Sequence, residues 1–143
     1  MFITIHQLNG DNSHLLDQVA PDVFDHDVIP DSLTAFLEDP RHVMFIATDG
    51  ASVIGMASGV EYFHPDKPPQ LWINEVGVAE THRNQGTGRK LVASLVDFAK
   101  ARGCSYAWLG TDANNVAGQR CFGSHPEVEE PQPFLLYEWE IKT

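Results

Sequence analysis

The chain has 143 residues, 43% hydrophobic and 20% charged, which suits one globular domain spanning residues 1–143 and excludes two ordinary ones. Its 20 acidic against 9 basic residues give a formal charge of -11, which argues against nucleic acid or an acidic membrane as partner and favours a cationic small molecule. An acidic surface also serves solubility alone, so the charge is weak support by itself. "MFITIHQLNG" carries no basic segment followed by a long apolar core, and no stretch reaches the roughly 20 apolar residues of a membrane span, so a cytoplasmic protein is expected.

"FITIHQL" alternates apolar and polar residues as a half-buried strand does, and "NGDN" ends it. "SHLLDQVA" predicts a short helix stopped by Pro21, followed by the acidic, irregular "DVFDHDVIP". "DSLTAFLED" predicts a second helix with Leu33, Phe36 and Leu37 on one face. Two β-rich runs flank Asp49-Gly50, a pair suited to a tight hairpin turn, and the three prolines of "HPDKPPQ" predict a loop after the second run. "LWINEVGV" then predicts a strand antiparallel to its predecessor. Leu91, Val92, Leu95, Phe98 and Ala99 follow helical spacing between Gly88 and Arg102. "CSYAWLGT" predicts a strand, "NNVAGQRCF" a short helix with an asparagine cap, and "FLLYEWEI" a last strand. The unit around residues 71–111 is a strand-helix-strand crossover, which makes the sheet mixed. Cys104 and Cys121 fall in a strand and a helix and are expected as free thiols. Trp72, Trp108 and Trp139 alternate within strands and are expected to pack in the core or on a sheet face.

"RNQGTG" stands between a predicted strand and a predicted helix. It lacks the three glycines of a dinucleotide fingerprint and the G-x-x-x-x-G-K-[ST] of a Walker loop. Arg83-x-x-Gly86-x-Gly88 instead turns successive backbone N–H groups toward the positive end of a helix, an arrangement that seats an anion. The competing reading is an ordinary turn with Arg83 solvated. The seven histidines show no metal-ligand spacing, and no metal is assigned.

This loop resembles the Q/R-x-x-G-x-G/A motif of the GNAT superfamily of acetyl-CoA-dependent N-acetyltransferases, and the element order over nearly the whole chain looks like that fold. The resemblance implies an α/β (α+β) domain with a mixed, mostly antiparallel sheet of six to seven strands flanked by helices, splayed in a V at the cofactor. It implies acetyl-CoA as cosubstrate, its pyrophosphate on Arg83, Asn84, Gln85, Gly86, Thr87 and Gly88 with Arg89 nearby, and its pantetheine arm along Val76, Gly77 and Val78. Asn115 occupies a position that contacts CoA in relatives. Phe122 stands where many members place a proton-donating tyrosine. "DVFDHDVIPDSLTAFLEDPRH" with "INEVGVAETHRNQGTGRKL" is similar, more narrowly, to type I aminoglycoside 3-N-acetyltransferases. That similarity implies an aminoglycoside acceptor modified at its 3-amino group, and resistance to the drug. Pairing of two copies through the last strand is common among relatives.

Acetyl transfer to an amine needs a base, because the amine arrives as an ammonium ion. Glu75, on the strand before the loop, is the expected general base; a structural or ammonium-anchoring glutamate is its alternative. Asp112 is an expected ammonium ligand or a helix cap. Glu61, Tyr62 and His64 are candidates for the acceptor side, as are Glu127, Glu129 and Glu130, against a solvated surface. Two other functions stay open: the same chemistry on a polyamine, small metabolite or peptide N-terminus, and a silent CoA-binding module, for which Phe122 is the argument.

Overall fold

In the computed structural model, which describes residues 2–142, the turn at Asp49-Gly50 organises the sheet. Gly50 takes a φ of 60°, open to a residue without a Cβ, and joins β2 (His42–Asp49) to β3 (Ser52–His64). β1 (Ile3–Gln7) pairs antiparallel with β2, and β4 (Lys67–Val78) antiparallel with β3. β5 (Tyr106–Trp108) lies parallel to β4 and completes a mixed five-stranded sheet ordered β1-β2-β3-β4-β5. The parallel pair is bridged by α2 (Thr87–Ala101), whose Leu91, Val92, Leu95 and Ala99 are buried as the spacing requires. None of the helices among the described residues is long and apolar enough to cross a membrane.

Several elements differ from expectation. The first helix shrinks to a 3₁₀ turn at Ser13–Asp17, because the chain beyond it pairs with β3: Val53 donates its N–H to Gln18, and Ala20 donates to Val53. α1 (Pro30–Glu38) starts one residue before the expected cap Asp31, with proline at the first turn, where no N–H is needed. It packs Leu33, Phe36 and Leu37 against the core. Pro68 and Pro69 lie inside β4, not in a loop. The β3–β4 ladder is irregular there, between Tyr62 and His64, so a missing N–H is tolerated.

Among the described residues the sheet has five strands, not six to seven, because the segment after α3 (Val116–Gly123) forms none. Phe134, Leu135, Leu136, Tyr137, Trp139 and Ile141 are exposed, and among the described residues the backbone of 129–142 makes no hydrogen bond to other backbone. A strand needs a partner edge, and this segment finds none among the described residues. Its Phe134 ring packs on Gly110.

β4 carries the feature that sets up the site. Ser58 pairs with Glu75 and Gly59 with Ile73, so Asn74 is an extra residue and the pleat changes phase across it. Before it, Leu71 meets Gly59 on the α2 face; after it, Val78 faces Gly88 of α2, while Gly77 turns to the opposite face. There the main chain of Val23, itself buried, presses on Gly77, and a Cβ on Gly77 would collide with the Val23 carbonyl oxygen. The preceding Asp22 takes a φ of 70° to make this approach. Gly77→Ala is therefore expected to lower the unfolding free energy by about 1–3 kcal/mol, the usual cost of forcing extra volume into a packed contact, read from a shifted urea midpoint.

Candidate active site

β4 and β5 pair only from Gln70 to Trp72 and from Tyr106 to Trp108. Beyond Trp72 and Trp108 a cavity of about 800 Å³ opens between residues 73–78 of β4 and 109–111 after β5. The segment around Val23, the loop before α2 and the face of α3 complete its wall. The structure thus brings Glu75, Val76, Gly77, Val78, Arg83, Asn84, Gly86, Thr87, Gly88, Arg89, Asn115 and Phe122 around one space. Gln85 is not in its lining.

The loop is tied to two strands. His82 bonds Asp49 of the β2–β3 hairpin at 2.9 Å and Thr81 at 2.7 Å. Arg83 Nε donates to the Val78 carbonyl at 3.1 Å, which anchors its guanidinium at the end of β4. Asn84 and Gly86 take φ values of 62° and 79°, a sharp reversal that directs the chain into α2. No side chain caps the start of α2, so its first-turn N–H groups face the cavity without an internal acceptor. α3 contrasts with it: Asn115 accepts from the Gly118 N–H at 2.9 Å and closes that helix itself. Gly88 serves packing as well, since a Cβ there would lie 3.1 Å from Cys121 Sγ.

Glu75 shares a face with Gly77 and so points to the side where residues 22–25 lie. Burial, and then the Asp25 carboxylate beside it, push its carboxyl above the usual glutamate range, against a smaller opposite pull from His26. Asp25 was within the acidic segment noted in the sequence but was not singled out, because nothing local shows that Val23 docks on Gly77. Cys121 also lines the cavity unforeseen; burial raises its thiol pKa and keeps it protonated. Both cysteines are free.

None of the seven expected acceptor residues lines the cavity: Glu127 pairs with Lys100, Glu129 and Glu130 are exposed, and the other four also lie elsewhere. Glu61 is buried on the α2 face, where Arg102 donates to it at 2.6 and 3.0 Å. His64 is exposed at the far end of the hairpin and pairs with Asp66. Asp112 accepts from the Asn114 N–H at 2.7 Å, an Asx turn ahead of α3, and is absent from the cavity wall. Tyr62 is on the Glu75 face but outside the cavity lining, bonded to Gln70 and Trp108.

The architecture is thus an α+β fold whose mixed sheet parts beside an uncapped helix start. A model of the acetyltransferase (GNAT) family matches residues 11–125, and the chain belongs to that family. It is 32% identical over 89 residues to the aminoglycoside N(6')-acetyltransferase type 1 of Serratia marcescens, covering 59% of this chain and 61% of that protein. It is 34% identical over 84 residues to the L-2,4-diaminobutyric acid acetyltransferase of Streptomyces coelicolor, covering 57% and 48%. The match therefore spans less than two thirds of either relative's length. The fold is shared with AAC(6')-Iy, solved with the bisubstrate analog CoA-S-monomethyl-acetylneamine, at a TM-score of 0.75 and 18% identity over 99% of this chain and 100% of that one.

The raised carboxyl has a consequence for stability. In acid, Glu75 is protonated in both folded and unfolded chains. As the pH rises through its ordinary value of 4.5, the unfolded chain ionises first, so stability falls until the folded group ionises too. Glu75→Gln removes this penalty. The variant is expected to gain thermal stability relative to the parent as the pH is raised from 3 through the carboxylate range to neutrality, with no further gain above; a pH series of melting curves checks it.

Proposed function

We propose that this chain is one catalytic domain, residues 1–143, that transfers the acetyl group of acetyl-CoA to a primary amine of an aminoglycoside. The observation that carries the reading is the polarity of the cavity: an uncapped helix start with Arg83 and Arg89 at one end, and the Glu75–Asp25 carboxylates at the other. The first fits a diphosphate, because free N–H groups, a helix dipole and two guanidinium side chains converge there. The second fits an ammonium group. Both relatives described above are named as acetyltransferases, one acting on an aminoglycoside and the other on a diamino acid.

Acetyl-CoA would supply a thioester carbonyl to the amine. Glu75 is the general base, its elevated pKa closer to the working pH than an ordinary glutamate's. Outward N–H groups of Val76–Val78, on the stretch of β4 that β5 leaves unpaired, supply fixed donors to the developing oxyanion. Phe122 lines the cavity and offers no proton. None is required near neutrality, since a thiol pKa of about 8.5 makes the thiolate a competent leaving group. Asn115 is spent as the α3 cap and a donor to Thr111, so its contact with the cofactor would be through backbone or the remaining amide hydrogen.

The narrower sequence similarity implied the 3-amino group, whereas the aminoglycoside relatives described above carry the 6'-amino group in their names. The reading takes an aminoglycoside amine without fixing which of the two, and includes drug resistance and a cytoplasmic location as part of the proposal. The reading also includes a homodimer, in which the exposed segment around Leu135–Ile141 pairs with a second copy.

Thiol release from acetyl-CoA is expected with kanamycin or sisomicin, and NMR of the product assigns the acetylated nitrogen. Glu75→Gln should lower kcat/KM by about 10²–10⁴-fold, the range of general-base catalysis. Arg89→Ala should raise the KM for acetyl-CoA more than it lowers kcat. Binding of acetyl-CoA with no thiol released by any cationic amine would leave only a CoA-binding module; turnover of polyamines alone would exclude the aminoglycoside. For the homodimer, light scattering should return twice the chain mass, and Leu135→Glu together with Tyr137→Glu should return it once.

A further inference from the structure

The sheet face that carries Glu75 also carries four aromatic side chains that the reaction above does not use. Tyr62 on β3, Trp72 on β4, and Tyr106 and Trp108 on β5 share it, since Gln70 pairs with Tyr62 and Tyr106, and Trp72 with Trp108. The Trp72 and Trp108 rings stack at 5.9 Å between centroids with 24° between planes, yet they remain 37% and 38% exposed. A chain of hydrogen bonds fixes them: Trp108 Nε1 donates to Tyr62 Oη at 2.8 Å, and Tyr62 Oη donates to Gln70 Oε1 at 2.6 Å. A rigid, half-open pair of stacked indoles of this kind offers aromatic faces and edges for binding, because no reorganisation precedes contact.

Its position relates it to the cavity. Trp72 and Trp108 are the last paired residues before β4 and β5 part, so the platform begins where the cavity ends. Trp72 is three residues from Glu75 along β4, and the extra residue Asn74 between them returns both side chains to one face. The rise of a strand puts the two about 7–10 Å apart, the span of one saturated six-membered ring with its substituents.

We propose that Trp72 and Trp108, oriented by Tyr62, form an acceptor subsite that takes the apolar face of a saturated, hydroxylated, amine-bearing ring, and so selects ring-borne amines over linear ones. Hydrogens on such a ring's face pack against the indoles, hydroxyl groups meet the Tyr62–Gln70 edge, and a ring ammonium gains from the electron-rich indole faces. The inference rests on the acetyltransferase reading for the identity of the reaction, but ring binding by itself does not.

The test compares kanamycin with linear spermidine as acceptors in the full chain carrying Trp72→Leu, Trp108→Leu and the corresponding Phe variants, with circular dichroism verifying the fold. Leucine keeps an apolar volume and removes the flat face; phenylalanine keeps both. The Leu variants should lower the ratio of kanamycin to spermidine kcat/KM about tenfold, equivalent to about 1.4 kcal/mol, chiefly through the kanamycin KM, and the Phe variants should restore most of it. An unchanged ratio overturns the subsite and leaves the reaction standing. Tryptophan fluorescence separates the two ideas: saturable quenching by kanamycin, lost in the Leu variants, supports the platform even where no thiol is released, and then the reaction is what falls. The absence of both quenching and a changed ratio overturns the subsite.

Discussion

The site depends on one extra residue. Without Asn74 in β4, residues 71, 73, 75 and 77 would all face α2, and Glu75 would enter the apolar layer formed by Leu71, Leu91 and Leu95. An ionised carboxylate there would be costly. With the bulge, Ile73 completes the core on one side, and Glu75 and Gly77 turn to the other. Gly77 then admits the Val23 main chain, and that docking holds Asp25 beside Glu75. The orientation of Glu75, its raised carboxyl and the carboxylate wall of the cavity all follow from a single phase change in one strand.

Conformational strain gathers around the same space. Among the described residues the non-glycine positions with positive φ are Asp22 and Asn84, one beside Val23 and one in the loop before α2, and both line the cavity. Such backbone persists where neighbours over-determine it, here through buried Val23 and through His82 and Arg83, tied to the β2–β3 hairpin and to β4. The uncapped start of α2 and the carboxylate pair are likewise unfavourable in isolation. Unsatisfied donors and crowded negative charge make sense together where a diphosphate and an ammonium group are to be received.

Much of this was legible from residue patterns, and the remainder was not for identifiable reasons. α2 announced itself through an unbroken apolar stripe, the hairpin through Asp49-Gly50, and the loop through Arg83, Gly86 and Gly88, because each is encoded within a few residues. The bulge at Asn74 has no local mark, neither glycine nor proline, and emerges only from pairing β4 with β3. Gly77 was expected to lie along the pantetheine arm; its immediate neighbour is Val23, 54 positions earlier in the chain (77 − 23), which no strand pattern discloses. Glu61 looked like part of the acceptor side, yet the same alternation that placed Tyr62 on the Glu75 face sends Glu61 to Arg102. "FLLYEWEI" has the alternation of a strand and remains unpaired, since alternation specifies a face to be buried and not the edge that receives it.

The two faces of the sheet divide the proposed reaction. The helix start that suits a diphosphate belongs to α2, with α3 packed beside it through Gly88 and Cys121, so under the proposed reaction the nucleotide end of the cosubstrate would lie on that side. Glu75, Asp25 and the Trp72–Trp108 pair look out from the opposite face, where an amine would arrive. Only where β4 and β5 cease to pair can a thioester on one side meet an amine on the other. The short length of β5 is thus a functional dimension: pairing prolonged past Trp108 would satisfy the free N–H groups of β4, close the gap and separate the two reactants by an intact sheet.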